Sequence, residues 1–149
     1  MMMKNAYRSL AVQTIVSGII MYFVMFVMID NLGSFYNNFN MVYMTLMMVA
    51  PMVMLMVLAM RDMFPSKIIN ALLLVGSAVI FVGCFALIRT QTTIGDRAFL
   101  RSMIPHHSGA ILMCQQAKLS DPEVVRLCGE IIKSQRQEIS EMKVILGRM

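Results

Sequence analysis

Three long stretches without a charged residue constrain this chain more than any other feature of its sequence. No Asp, Glu, Lys or Arg occurs between Arg8 and Asp30, between Asp30 and Arg61, or between Lys67 and Arg89. A helix needs roughly 20 apolar residues to cross a lipid bilayer, and each stretch is long enough once the polar start of the middle one is set aside. The sequence therefore predicts transmembrane helices near residues 10–29, 41–60 and 68–88.

Composition and motifs narrow the class of protein further. Of the 149 residues, 58% are hydrophobic and 14% are charged, whereas soluble domains average about 45–50% and 25%. The basic residues form no run of the kind that binds nucleic acid. The sequence contains neither a glycine-rich phosphate loop nor a GxSxG nucleophile motif. We expect a lipid bilayer as a partner, no nucleic acid and no enzymatic activity.

The placement of Lys and Arg predicts the orientation in the membrane. Lys4 and Arg8 precede the first span, the loop after that span has neither residue type, and the next loop holds Arg61 and Lys67. By the positive-inside rule, the N-terminus and the second loop lie in the cytoplasm. No small-residue cleavage site follows the first apolar stretch, so we expect it to be retained. The predicted location is a bacterial inner membrane, with the C-terminal part in the periplasm or outside the cell.

Methionines follow one face of the predicted second span. Their steps of three or four residues place them within about 160° of the helix surface. Two interpretations remain open, a flexible apolar surface for lipid or helix contacts and a row of thioethers that passes or holds Cu(I). The spacing also occurs in the predicted first span at Met21, Met25 and Met28. The residues of the second span are Met41, Met44, Met48, Met52, Met56, Met60 and Met63.

The chain divides into a predicted transmembrane domain of residues 1–90 and an exported domain of residues 91–149. In the exported domain, apolar residues at helical spacing predict a helix over Asp96–Lys118, and a second helix runs from a cap at Ser120 to about Leu146. Such a hairpin is small for a stable core of its own. We therefore expect a homo-oligomer in which two hairpins pair into a four-helix bundle. The predicted fold class is all-α.

Two adjacent histidines lie where the hairpin helices face each other. A register centred on the turn places His106 opposite Gln135 and His107 opposite Ser134. The same register places Glu138 opposite Met103. Buried polar groups are costly unless they are paired or bind a metal, and thioether with imidazole favours a soft ion such as Cu(I). A hydrogen-bonded polar network without metal is the alternative.

The role of Glu138 also remains open in the sequence. Its carboxylate is either a metal ligand or the acceptor that fixes the tautomer of a histidine.

The run DRAFLRSMIPHHSGAILM, followed by QRQEISEM, resembles the domain-of-unknown-function 305 family. The resemblance covers about the last third of the chain. It implies a ferritin-like helical bundle, usually exported, with copper bound through Met and His in some members. The residues for which it implies a metal role are Met103, His106, His107, Met113 and Met142, with Glu138 as a further candidate. The chain differs from the family in having a single hairpin and in carrying Cys114 and Cys128 where Ala is common.

The two hairpin cysteines lie nearly level across the predicted turn. Three uses are open for Cys114 and Cys128: a disulfide, a thiolate site for Cu(I), or two inert buried thiols.

The function predicted from these observations is that of a membrane-anchored copper-binding protein. Such a protein would act in copper sequestration, copper tolerance or copper delivery, with the metal bound as Cu(I). A copper-handling protein would be a further partner. One alternative is a ferritin-like iron site, although such sites draw Glu residues from several helices and the hairpin offers Glu138. A metal-free structural or interaction protein of the membrane is the other alternative.

Overall fold

The computed structural model describes residues 2–149, with side chains described from residue 6 onward. In this part of the chain the secondary structure is helical, with no strand, and the predicted all-α fold class is confirmed. Single 3-10 turns lie at Leu32–Ser34 and Arg61–Met63. The five α-helices are α1 (Met2–Val24), α2 (Phe39–Ala59), α3 (Lys67–Thr90), α4 (Asp96–Gln116) and α5 (Pro122–Gly147).

Three of these helices contain segments long and apolar enough to cross a membrane. The segments are Ala6–Val24, Phe39–Ala59 and Lys67–Thr90. The second and third lie within two residues of the predicted limits, whereas the first ends five residues before the limit predicted near residue 29. Residues Met25 and Met28 consequently lie outside α1, and the methionine spacing predicted for the first span does not continue along one helix.

The segment after the first span folds back onto protein through Phe26, and the helix ends before it. Phe26 is 5% exposed, and its ring lies 4.3 Å from that of Phe35, measured between centroids. An uncharged stretch shows where a helix can cross a bilayer, but it does not distinguish apolar residues that face lipid from apolar residues that pack in a folded domain.

Of the described residues, the first compact unit contains 2–24 and Asn40–Thr93. Its buried core is formed by Leu10, Val53, Val57 and Phe64. Tyr7 joins α1 to the start of α3, because its hydroxyl donates to Asn70 Oδ1 at 2.9 Å and accepts from the backbone N–H of Ser66 at 3.2 Å.

The second compact unit contains Met25–Phe39 together with Ile94–Met149. The hairpin of α4 and α5 buries Leu100, Ile104 and Met142, and Tyr36 packs against this hairpin core. The predicted boundary at residue 90 therefore omitted a part of the unit, because the segment between α1 and α2 belongs to it.

The segment between α1 and α2 is held on α4 by direct contacts. The backbone N–H of Asp30 donates to the Ser108 hydroxyl at 2.7 Å, and Ser108 is fully buried. At the next position, a Cβ built on Gly109 would lie 3.4 Å from the carbonyl oxygen of Met28. The two backbones approach closely at this point, and a small residue on α4 permits it.

The hairpin turn is capped one residue later than predicted. The Asp121 carboxylate, and not the Ser120 hydroxyl, accepts hydrogen bonds from the backbone N–H groups of Glu123 at 2.9 Å and Val124 at 3.0 Å. Pro122 explains the shift, because its fixed φ and missing N–H suit the first position inside a helix, which makes the preceding residue the cap. At the start of α4 the cap residue is Gly95, and Asp96 lies in the first turn.

Candidate metal site

His107 is buried between the two hairpin helices and both of its ring nitrogens have partners. The residue is 8% exposed. Its Nδ1 lies 2.9 Å from the backbone carbonyl oxygen of Met103, one turn earlier on α4. A carbonyl oxygen only accepts hydrogen bonds, so Nδ1 carries a hydrogen and donates it. This contact fixes the orientation of the ring and assigns the first of its two protons.

The other ring nitrogen of His107 meets a carboxylate on α5. Nε2 lies 2.7 Å from Oε2 of Glu138, and the hydroxyl of Ser134 donates to Oε1 of the same carboxylate at 2.6 Å. If the ring were neutral with its hydrogen on Nδ1, a lone pair on Nε2 would face the carboxylate. A contact this short therefore contains a proton between Nε2 and Oε2.

The pKa of Glu138 indicates which of the two groups holds that proton. The Ser134 hydroxyl lowers the pKa of Glu138 most, and the hydrogen bond and charge of His107 lower it further, while partial burial raises it. The net lowering favours an ionised Glu138, whose carboxylate accepts the hydrogen bond from Nε2 of His107. Glu138 thus acts as a hydrogen-bond acceptor for His107, which is one of the two roles left open by the sequence.

This arrangement limits what His107 can do as a ligand. A metal ion needs a ring nitrogen with a free lone pair, and in this conformation neither nitrogen offers one. Binding at Nε2 requires Glu138 to move away and a proton to leave. In the structure as it stands, the pair ties α4 to α5 beside the hairpin core, and it holds the neighbouring turn of α4 in place.

His106 points away from that pair, towards the surface. Its ring is edge-on to that of His107, with centroids 6.0 Å apart and planes at 85°, and the residue is exposed. Met103 is partly buried against the hairpin core and precedes His106 by three positions. Residues three apart are neighbours on a helix surface, so a thioether and an imidazole lie side by side on α4.

The remaining candidates have different surroundings. Met142 is 9% exposed and Met113 is 53% exposed, and Met142 belongs to the hairpin core. Of the six residues predicted as metal ligands, the structure places four at the contact between the helices, while His106 and Met113 are exposed. The four are Met103, His107, Glu138 and Met142. Within the described residues, no group of three or more His, Cys, Asp or Glu side chains converges to hold a metal ion, and thioethers lie outside that set of donors.

Cys114 and Cys128 form a disulfide across the turn end of the hairpin. Their Cα atoms are 5.3 Å apart, and fourteen positions separate them in the sequence. Of the three uses left open by the sequence, the structure contains the disulfide, so neither sulfur is a thiolate ligand in this state. In the chain-entropy description, a bridge closing a loop of this size stabilises the fold by about 3 kcal/mol.

Two side-chain contacts in this region were not predicted from the sequence. Ser134 and Glu138 are four positions apart on α5, a spacing that predicts a side-chain contact, and this signal was present in the sequence. The second feature joins the segment after α1 to the hairpin: the Gln115 amide, oriented with its nitrogen towards Asp30, donates to Oδ1 of Asp30 at 2.7 Å and accepts from Arg136 at 2.9 Å. No local spacing predicts a contact between residues so distant in sequence.

The fold and site define a class of protein, a disulfide-closed helical hairpin that follows three apolar helices. Residues 85–146 match the family described as Domain of unknown function (DUF305). The "Uncharacterized protein L153" of Acanthamoeba polyphaga mimivirus is 35% identical to this chain over 119 residues, which cover 78% of this chain and 76% of the viral protein. The chain belongs to the DUF305 family.

The likeness to the viral protein extends beyond the hairpin. Residues 85–149 supply only part of an alignment of 119 residues, so the alignment includes part of the apolar helices as well. No solved structure matches the chain.

Proposed function

We propose that this protein is a membrane-anchored copper-binding protein that sequesters, tolerates or delivers copper as Cu(I), and that it is not an enzyme. The observation that carries the proposal is the pair formed by Met103 and His106, a thioether and an exposed imidazole side by side on α4. Thioether and imidazole are donors that suit Cu(I). Copper would be bound as cargo and would not take part in catalysis, and the chain's own residues would bind and release it.

The other predicted residues support this pair. His107, held by Glu138 and the Met103 carbonyl, fixes the turn of α4 from which Met103 and His106 project. Met142 fills the hairpin core behind it. Supporting contacts of this kind orient metal ligands, and their loss usually lowers affinity about 10–100-fold. His107 is thus a positioning residue in the proposed site, and Glu138 positions His107.

Two structural observations support the proposed location. If the three apolar helices cross a bilayer, the segment after α1 and the chain after α3 lie on the same side of it, and Met25–Phe39 does share a compact unit with Ile94–Met149. The disulfide between Cys114 and Cys128 suits an oxidising compartment. Together with the Lys and Arg distribution, these observations support an orientation with the N-terminus in the cytoplasm and the hairpin outside, in the bacterial inner membrane that we propose as the location.

The test is Cu(I) binding by the full chain in detergent, measured by competition with a chromophoric Cu(I) chelator. We expect His106→Ala to weaken binding most and Met103→Leu to weaken it less. Met149→Leu removes a thioether that is 51% exposed at the C-terminus, and this control should leave binding unchanged. A wild-type protein that leaves the chelator fully loaded contradicts the proposal.

A metal-free interaction protein of the membrane is a second candidate, and one observation favours it. His107 and Glu138 satisfy each other within the hairpin, so the buried histidine needs no metal to explain it. Metal analysis of protein purified without chelators separates the possibilities: copper supports the proposal, iron supports the ferritin-like alternative, and neither metal supports the interaction protein.

A further inference from the structure

One side of α4 carries a regular stripe of uncharged residues. Their spacing alternates between four and three positions, and no charged residue interrupts it. At 100° per residue they fall within an arc about 80° wide. We call this set the heptad stripe, and its members are Phe99, Met103, His106, Ala110 and Met113.

The heptad stripe lies on the open side of the hairpin. At 100° per residue its centre is about 180° around α4 from Ser108, the residue that holds the segment after α1. That segment therefore covers the opposite side of α4, and within the stripe Met103 lies at the edge nearest α5, partly buried against the hairpin core. Phe99 is 50% exposed and Met113 is 53% exposed, and His106 between them is exposed as well.

The period of the stripe indicates what kind of surface covers it. Apolar residues that repeat every 3.5 positions keep one seam facing a partner helix that runs alongside. The small side chain of Ala110 lies between the larger ones of His106 and Met113, which leaves a gap that a side chain of a partner surface can fill. The expected occupant is a helix, packed along the length of α4.

His106 indicates which helix it is. An apolar helix from another protein would bury the imidazole without a partner, which is costly. His106 is seven positions from Phe99 and seven from Met113, at the middle of the stripe. A two-fold axis through this point places His106 beside His106 of a second copy, whether the two α4 helices run parallel or antiparallel.

The number of metal ligands that one chain can offer also indicates a second copy of this chain as the partner. One chain offers a thioether from Met103 and an imidazole from His106, which leaves a Cu(I) ion short of ligands. A second copy in two-fold symmetry brings an identical pair to within one helical turn, so that two thioethers and two imidazoles surround one position. Soft and borderline donors of this kind suit Cu(I).

We propose that a second copy of this chain packs its α4 against the heptad stripe, and that the two copies share one Cu(I) held by Met103 and His106 of each chain. The shared ion rests on the proposed function, whereas the pairing of the stripes does not. The pairing also enlarges a small core, since the cluster of buried hydrophobic residues between α4 and α5 consists of Leu100, Ile104 and Met142, and small units of this kind gain stability by association.

The pairing is tested without metal, on the full chain in detergent, by native mass spectrometry. We expect a dimer for the wild type and a monomer for Phe99→Glu, because the substitution brings two carboxylates into an apolar seam. Val144→Glu is the matched control: Val144 is 70% exposed on α5, lies off the stripe, and should leave the dimer intact. A wild-type monomer, or a Phe99→Glu protein that remains a dimer, overturns the pairing.

The shared ion is tested by Cu(I) titration of the same proteins. We expect one Cu(I) per two chains in the wild type. His106→Ala should remain dimeric without metal and lose this ion, and the Phe99→Glu monomer should bind Cu(I) about tenfold or more weakly, since even the loss of outer contacts costs a metal site that much. One Cu(I) per chain with equal affinity in the Phe99→Glu monomer overturns the shared site and leaves the proposed function standing. A dimer that binds no Cu(I) overturns the proposed function and the shared ion, and leaves the pairing standing.

Discussion

The backbone N–H of Asp30 donates a 2.7 Å hydrogen bond to the hydroxyl of Ser108, although 78 positions separate the two residues in the sequence. Ser108 is fully buried, so the bond is shielded from water. It joins the segment after the first apolar helix to the hairpin, and it explains why a serine occupies an interior position of α4.

Removal of this hydroxyl should loosen the segment after α1. Ser108→Ala leaves the Asp30 amide without its acceptor, and an unsatisfied buried donor costs about 1–3 kcal/mol. We expect faster hydrogen exchange at the Asp30 amide and a lower thermal midpoint, measured on the full chain in detergent. Ser140→Ala removes an exposed hydroxyl on α5 and is the control. Equal protection of Asp30 in both variants contradicts the role assigned to Ser108.

The contact between His107 and Glu138 predicts a dependence of stability on pH. The pKa of Glu138 is lowered in the folded protein from an unfolded value of about 4.3. A group with a depressed folded pKa contributes stability above the unfolded value, and the contribution is lost as pH falls through the folded value. The stability advantage of the wild type over Glu138→Gln should therefore be full at neutral pH and shrink below about pH 4.

A matched control for this pH experiment is available on the same helix. Glu130 forms an ion pair with Arg126 in which both side chains are well exposed, and such pairs contribute about 0–1 kcal/mol. Glu130→Gln should therefore differ little from the wild type across the pH range. Thermal unfolding in detergent at a series of pH values measures both variants. A Glu138→Gln curve parallel to that of Glu130→Gln would show that the pair of His107 and Glu138 adds no pH dependence.

The disulfide between Cys114 and Cys128 should hold the turn end of the hairpin. Leu119, Val124 and Leu127 near the turn are all exposed, so few packing contacts stabilise this end. We expect Cys114→Ser with Cys128→Ser to lower the free energy of unfolding by about 3 kcal/mol. Alkylation without reductant, followed by mass spectrometry, checks the bond itself. Modification of both residues in protein kept under oxidising conditions would show that the bridge does not form.

The proposed orientation predicts the behaviour of reporter fusions. Alkaline phosphatase joined after Met149 should be active, because it folds in the oxidising compartment, and a fluorescent protein that matures only in the cytoplasm should be dark there. The same reporters inserted after Asp62, in the loop between α2 and α3, should give the opposite pattern. Fluorescence from the fusion at Met149 would place the hairpin in the cytoplasm.

The sequence predicted elements well where the physical signal is local. Uncharged runs located α2 and α3 to within two residues, and the helical spacing of apolar residues located α4 and α5. It failed for the end of α1, because the burial of Phe26 against Phe35 depends on contacts that no local pattern records. The role of Ser108 was missed for the same reason.

The predicted register across the hairpin was close, but it paired the wrong side chains. Glu138 was expected opposite Met103, and it contacts His107, one turn nearer the hairpin turn. On a helix the Cα–Cβ bond tilts towards the N-terminus. In an antiparallel pair these tilts point in opposite directions, so His107 and Glu138 lean towards each other and meet between their backbone levels. A register drawn from backbone positions alone does not include this displacement.

The shared unit of Met25–Phe39 and Ile94–Met149 has a consequence for the order of events during synthesis. A ribosome adds about 5–20 residues per second. Asp30 is therefore made roughly 4–16 seconds before Ser108, whose hydroxyl accepts the hydrogen bond from the Asp30 amide. During that interval Phe26 and Phe35 have been made, but α4, the helix on which their segment is held, has not. The nascent chain must keep this short segment from other contacts until about its last third emerges, which makes the interval a point of vulnerability to misfolding.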